Sequence, residues 1–289
     1  MKKIILLIFI FLIIFFLSCQ NEPKNIETTP VVDISDGEKT DFSQKDYIIY
    51  GDNRTNYDIH ADIVNLMSKH EPKMVFNTGD LVEFGYDHEW ELFNIIINPL
   101  LSTAIYYPAI GNHDTNNIDA YFDNFDLPNN EKWYLIETDK INFIILDNYE
   151  SLGIGSEQYN WLESTLKTID NCTKFTIVIF HHPPYSVGHH PPKLSLRESI
   201  IPLFEKYNVE IVFNGHDHNY QKFYVNGIYY IVTGGGGGPL HDQEHEDPNL
   251  LKFVKVYHYC TLSVESNKLQ IEVIDIFSTI IDKITVINK

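Results

Sequence analysis

Five short apolar runs in this chain stop abruptly, and each stop releases aspartate, asparagine or histidine. "YIIY" runs into Gly51-Asp52-Asn53-Arg54, and "MVFNT" runs into Gly79-Asp80. "AIYYPAI" ends at Gly111-Asn112-His113-Asp114. "FTIVIF" ends at His181-His182-Pro183-Pro184-Tyr185, and "VEIVFN" at Gly215-His216-Asp217-His218. Apolar runs of this length, bounded by turn residues, read as buried strands. In an open α/β sheet the carboxyl ends of the strands line the ligand crevice. A fold that buries all five runs side by side therefore gathers their polar ends at one mouth. The glycines are expected to let the backbone turn sharply there.

Helical patterns separate the runs. Ile59, Ile63, Val64 and Met67 share one helical face, "HEWELFNIII" is helical, and "SEQYNWLESTLKTI" starts from Ser156 as N-cap with Glu157 in its first turn. Ser195 to Tyr207 reads as one further helix. "WYLIE" and "INFIILDN" form a strand pair turning at Asp139 and Lys140. The carboxyl-terminal third reads as β-hairpins, with turns at Val225–Gly227 and Glu265–Lys268. Strand–helix alternation followed by a β-rich tail predicts an α/β fold, a mixed sheet with helices outside, without internal repeat or clear second domain.

The mixture released at the strand ends is Asp52, Asp80, Asn112, His181, His216 and His218. Carboxylate oxygen, amide oxygen and imidazole nitrogen together suit borderline divalent or trivalent metals such as Mn, Fe, Zn or Co. Two Asp, one Asn and three His are enough for two ions that share one carboxylate. Taken singly, Gly-Asp after a strand is usually only a turn, and His-His-Pro-Pro a rigid loop. Five such ends in one order are not explained that way.

The ordered set GD, GD, GNHD, HHPPY, GHDH resembles the calcineurin-like metallophosphoesterase superfamily. The variants His181-x-Pro183-x-Tyr185 and Gly215-His216-x-His218-x-Tyr220 are similar to its purple acid phosphatase-like branch. The match covers roughly residues 46–238, and the domain is taken as 46–289. The resemblance implies a four-layer αββα sandwich of two mixed β-sheets with flanking helices. It implies that Asp80 bridges two metal ions, that Asp52 and His218 hold the first, and that Asn112, His181 and His216 hold the second. His113 would donate a proton or contact phosphate, with Asp114 orienting its ring. The activity implied is metal-dependent hydrolysis of phosphate esters by a metal-activated hydroxide at a dinuclear site, two such cations lying about 3.5–4 Å apart. A phosphomonoesterase is the preferred reading, a phosphodiesterase on nucleotide or head-group substrates the first alternative, and a non-catalytic metal-binding surface lipoprotein the second.

The chain departs from the pattern at two positions. Arg54 stands where most of the superfamily has the histidine of Asp-x-His. Glu83 stands where the purple enzymes place a tyrosine, three residues after the bridging aspartate. The fourth ligand of the first metal is then Glu83, a water, or His60 folding back from the next helix. Arg54 either clamps substrate phosphate through its planar fork or pairs with an acid such as Glu83. Lesser features stay open in the same way. Gly234–Gly238 is a phosphate-facing nest of amides or a close-packed turn, and "HDQEHED" (His241–Asp247) binds a stray cation or is a solvated, mobile loop that shapes substrate entry. Tyr185 and Tyr220 line the pocket or belong to the core, while His182, His189 and His190 are outer residues.

Composition narrows the partners. The 289 residues carry a formal net charge of −19, which repels nucleic acid and leaves a small phosphate ester as the expected substrate. Lys2 and Lys3 precede the apolar run Ile4–Leu17, which is short of the about 20 residues a bilayer span needs. "FFLSCQN" then looks like a bacterial lipobox, with residues 1–18 as signal peptide and Cys19 as the lipidated new N-terminus. Residues 19–45 are polar and read as a flexible tether, placing the protein extracytoplasmically in the cell envelope, lipid-anchored to the membrane. Cys172 and Cys260 remain, and sequence does not show whether they meet.

Overall fold

The computed structural model describes residues 37–170 and 173–287. The expected signal peptide, Cys19, most of the tether, and Cys172 with its possible pairing to Cys260 lie outside these residues. Thirteen strands and six α-helices occur in the described residues, arranged in two sheets. The strands are β1 (Tyr47–Tyr50), β2 (Met74–Asn77), β3 (Ile105–Pro108), β4 (Tyr134–Glu137), β5 (Ile141–Ile145), β6 (Phe175–Ile179), β7 (Ile211–Asn214), β8 (Tyr220–Val225), β9 (Ile228–Thr233), β10 (Leu250–Val254), β11 (His258–Glu265), β12 (Lys268–Asp275) and β13 (Ile280–Ile287). The helices are α1 (Tyr57–Ser68), α2 (Asp87–Leu101), α3 (Ile118–Asn124), α4 (Glu157–Thr168), α5 (Leu194–Ser199) and α6 (Ile201–Lys206).

One sheet runs β13-β12-β11-β1-β2-β3 and the other β10-β8-β9-β7-β6-β5-β4. Both are mixed: β1, β2 and β3 are parallel, as are β5, β6, β7 and β9, with antiparallel hairpins outside them. Period-two alternation decides what each face covers. Phe143, Ile177, Ile179, Ile211 and Phe213 point to the core shared between the sheets, whereas Ile144, Val178 and Val212 pack under α4, α5 and α6. Phe76 of β2 stacks on Phe143 of β5 with ring centroids 4.1 Å apart, tying one sheet to the other. Helices α1 and α2 cover the outer face of the first sheet through Ile63, Val64, Met67, Trp90 and Phe93. The result is two mixed sheets face to face with helices on both outsides, as the motifs implied.

Local chemistry explains most boundaries. Ser156 accepts from Tyr159 N to cap α4, and Asn56 accepts from Ile59 N to cap α1. The helix read over Ser195–Tyr207 is instead two short ones broken at Ile200. Pro202, at the start of α6, has no N–H to continue the ladder. Strand β10 follows the polar "HDQEHED" segment, whose composition hid it. Residues at the end of the stretch read as tether lie against the sheet: Thr40 N donates to Ser278 O, and Lys39 bridges Thr279. No helix among the described residues is long and apolar enough to cross a membrane.

His60, a candidate ligand by sequence, belongs to this packing and not to the mouth. It is buried between Tyr50 and Phe93, with Nε2 3.0 Å from Tyr50 Oη. Burial pushes its pKa down to about 3 from the ordinary 6.5. The unfolded chain takes up this proton below about 6.5, so stability present above that pH is lost as pH falls toward about 3. At about 1.4 kcal/mol per pH unit, His60 should remove about 2–3 kcal/mol between pH 6.5 and 4.5. Urea midpoints should therefore fall less steeply over that window in His60→Phe than in the wild type. Parallel curves would mean His60 does not drive acid lability.

Candidate metal centre

Every strand-end residue named from the sequence arrives at the carboxyl edge of β1, β2, β6 or β7, or of the segment after β3. The backbone does so differently from the expectation. The left-handed conformations fall on the chemistry-bearing residues themselves: Asp52 has φ 56°, Asp80 59° and His216 71°. Such conformations cost a non-glycine residue of order 1 kcal/mol and persist where surroundings over-determine them. Of the four preceding glycines only Gly79 has positive φ. Gly51, Gly111 and Gly215 are needed for space. A Cβ on Gly111 would lie 2.1 Å from Asp80 N, and one on Gly215 would lie 2.3 Å from an Asp52 carboxylate oxygen.

Asp52, Asp80 and His218 are buried, and each offers a ligand atom within 4.8 Å of the others. His218 Nδ1 lies 2.8 Å from Pro239 O, to which only a protonated nitrogen can donate. In the neutral ring this places the lone pair on Nε2, 3.5 Å from Asp52 Oδ1; burial opposes a charged ring, but the Asp52 carboxylate outweighs it and raises the pKa. This Nε2 is buried without a hydrogen-bond partner. A buried, partnerless imidazole nitrogen between two buried carboxylates is what a metal ligand looks like, because an unpaired polar atom is costly and a cation satisfies all three.

The second group has the same character. His181 Nδ1 meets Thr78 O at 2.9 Å, so its Nε2 lone pair faces outward. Nε2 lies 3.0 Å from Asn112 Oδ1 and 3.4 Å from Asp80 Oδ1. His216 Nδ1 lies 2.9 Å from the same Asn112 oxygen, and burial pulls the pKa of that imidazole well below its ordinary value. Acceptors thus converge on one point, with Asp80 common to both groups. The residues present are of the kind that hold metal ions, and Asp52, Asp80 and His218 are close enough to share one.

His113 lies beside them, its backbone N donating to Asp80 Oδ1 at 2.9 Å. Its ring is oriented by Glu83 O, 2.8 Å from Nδ1, and not by Asp114. That expectation is corrected. Asp114 is buried beneath the site, where its two oxygens accept from the backbone N–H groups of Asp80, Leu81 and Gly111 at 2.8–2.9 Å. Burial, and then the charge on Asp80, hold its carboxyl above the usual range. It positions Asp80 from behind.

Arg54 is paired, as one of its two readings held. Its Nε donates to Asp80 Oδ2 at 3.3 Å and its Nη1 to Glu83 Oε2. Thr55 Oγ1 also donates to Glu83 Oε2, at 2.7 Å. Burial opposes the charge on Glu83, but these bonds from Thr55 and Arg54 outweigh it and hold the carboxyl below the usual range. Its Oε2 is thereby held by Arg54 and Thr55.

The five glycines form a close-packed turn. A Cβ at any of Gly234–Gly238 would come within 2.1–2.7 Å of a neighbouring atom, among them Gly51 O, Asn53 O and the His218 ring. The loop His241–Asp247 is tied down rather than loose. Glu244 N and His245 N both bond Val187 O, and Arg197 pairs with Asp247. Sequence reasoning missed His241, whose ring stacks on His218 at 4.3 Å, and Asp217, whose Oδ1 accepts from His190 N and lies 3.2 Å from His241 Nδ1. The acidic composition of the loop concealed the first, and the second stands in the open position between His216 and His218. His182 and His190 both pack on His216, while His189 is exposed and pairs with Glu244. Tyr185 and Tyr220 are core residues, under Arg197 and bonded to Asp282 respectively.

Comparison with known proteins identifies the family. Residues 46–220 match the model of the calcineurin-like phosphoesterase family. The chain belongs to that family. It is 31% identical over 199 residues to "Probable purple acid phosphatase 20" of Arabidopsis thaliana, a match covering 59% of this chain and 47% of that one. It is 29% identical over 213 residues to "Probable inactive purple acid phosphatase 24" of the same plant, covering 58% and 35%. The matches thus span less than half the length of these curated relatives. Purple acid phosphatase PPD1 from yellow lupin seeds shares the fold, with TM-score 0.74 at 20% identity over 84% of this chain and 53% of that one.

Proposed function

We propose that the protein hydrolyses phosphate esters in a metal-dependent reaction, with small monoesters preferred, while tethered to the cell envelope by a lipid on Cys19. The observation that carries the activity is the buried, partnerless Nε2 of His218 set between Asp52 and Asp80. Membership of a phosphoesterase family supports it. Asp52, Asp80 and His218 would hold one ion and Asp80, Asn112, His181 and His216 the other. Ions so held supply Lewis acidity toward the phosphate oxygens and acidify water. His113 is the proton donor in this reading. Its ring is partly open to solvent, and with Nδ1 bonded to Glu83 O, Nε2 is the edge presented to a leaving group. The tether rests on the run Ile4–Leu17 followed by Ser18-Cys19.

The test loads the chelator-stripped full chain with Mn²⁺ or Zn²⁺ and offers an aryl phosphate monoester beside the matching diester. Metal-dependent turnover is expected, faster on the monoester, and Asn112→Ala should lower it by about 10–100-fold or more through weakened metal binding. A faster diester would replace the monoesterase by a phosphodiesterase. A second reading, a metal-binding surface protein without catalysis, is favoured by one observation: Arg54 and Glu83 stand where a further ligand is expected. It would be adopted if metal binds and neither ester turns over.

A further inference from the structure

We propose that Arg54 and Glu83 form a latch on Asp80 that makes the two metal positions unequal, weakening the one built by Asp52 and His218. The proposal rests on the two-metal reading of the site. Asp80 Oδ1 faces His181 and the His113 amide, while Oδ2 lies 3.9 Å from the His113 ring and is the oxygen turned to Arg54. Arg54 Nε donates to this Oδ2 at 3.3 Å. An ion seated among Asp52, Asp80 and His218 must compete with that hydrogen bond. It must also sit beside a guanidinium, whose positive charge opposes it.

The latch is held in place. Glu83 takes Nη1 of Arg54 and a hydrogen bond from Thr55 Oγ1, and Thr55 Oγ1 also accepts from Arg54 Nη1 at 3.3 Å. Thr55 reaches this position with φ 76°, an unfavourable conformation for a β-branched residue. The side chains of Arg54 and Glu83 are only 14% and 23% exposed, so solvent screens the pair less than an ordinary surface ion pair. Glu83 offsets the guanidinium charge and keeps the weaker position usable. The group Asn112, His181 and His216 accepts no hydrogen bond from Lys or Arg among the described residues. That position is left to fill first.

Calorimetric titration of the chelator-stripped full chain with Mn²⁺, checked by metal analysis after desalting, tests this without any activity assay. Two classes of site are expected. Asp52→Asn should remove the weaker and His216→Ala the tighter. Arg54→Met should tighten the weaker class about 10-fold, while Glu83→Gln, which keeps an acceptor oxygen for Arg54 but removes the negative charge that offsets the guanidinium, should weaken it about 10-fold, the scale on which residues surrounding a site change metal affinity. The tighter class should move little in both variants. Two equal classes in the wild type would overturn the latch while leaving the two-metal reading intact, and so would a weaker class unmoved by either variant. If Arg54→Met does not fold, an unmoved weaker class in Glu83→Gln alone overturns it. Binding of no metal at all would remove the two-metal reading and the latch together.

Discussion

Asp80→Ala is expected to abolish metal-dependent ester hydrolysis, with a loss of about 10³-fold or more, and to lower the bound metal to less than one ion per chain. Asp80 is the residue both ligand groups share. Its Oδ1 lies 3.4 Å from His181 Nε2 and accepts from His113 N, while the carboxylate also faces Asp52 and His218. Truncation removes the common carboxylate and releases Arg54 from its hydrogen bond at 3.3 Å. Two positions that depend on one charge fail together, so the loss should exceed that of Asn112→Ala. Metal analysis beside the ester assay checks both halves. A variant that retains two ions would show that Asp80 does not bridge.

The second large effect is on folding. Asp114→Ala should destabilise the protein by about 3–5 kcal/mol, because three buried N–H groups lose their acceptor at about 1–3 kcal/mol each, with some relaxation. Those donors are Asp80, Leu81 and Gly111, and Asp114 is fully buried. Asp114→Asn keeps one acceptor oxygen but turns an amide NH₂ toward a backbone donor, so a loss of about half that size is expected. Urea unfolding of the metal-free proteins measures both. A shift under about 1 kcal/mol for Asp114→Ala would mean that water replaces the carboxylate and that the loop does not depend on it. Because these amides carry Asp80, both variants should also weaken metal binding.

How much was legible follows from the distance over which each interaction acts. The strands β1, β2, β3, β6 and β7 were visible because their burial is a property of consecutive residues. Helix α4 was visible because its N-cap is its own neighbour. The break at Ile200 was readable from Pro202, yet the apolar pattern across it suggested continuity. His60 illustrates the opposite case. Eight positions after Asp52 it looked able to reach the mouth, but helix α1 turns it toward Tyr50 and Phe93, and its ring fills the core. The loop His241–Asp247 looked solvated by composition and is fastened by its backbone, which composition does not describe.

By itself the sequence determined the types of the site's polar residues, their order, and their place at strand ends, because a short buried run and the polar residue that ends it are local facts. Tertiary structure decided how those residues are set. It chose the ring tautomers through Thr78 O and Pro239 O, placed Asp114 under the loop, and turned Glu83 toward Arg54. Each of these is a hydrogen bond between segments far apart in the chain, 103 residues in the case of His181 and Thr78. Thr78 and His181 meet only when the two sheets pack, and the other partners meet when strands of one sheet pair, so no local pattern encodes them.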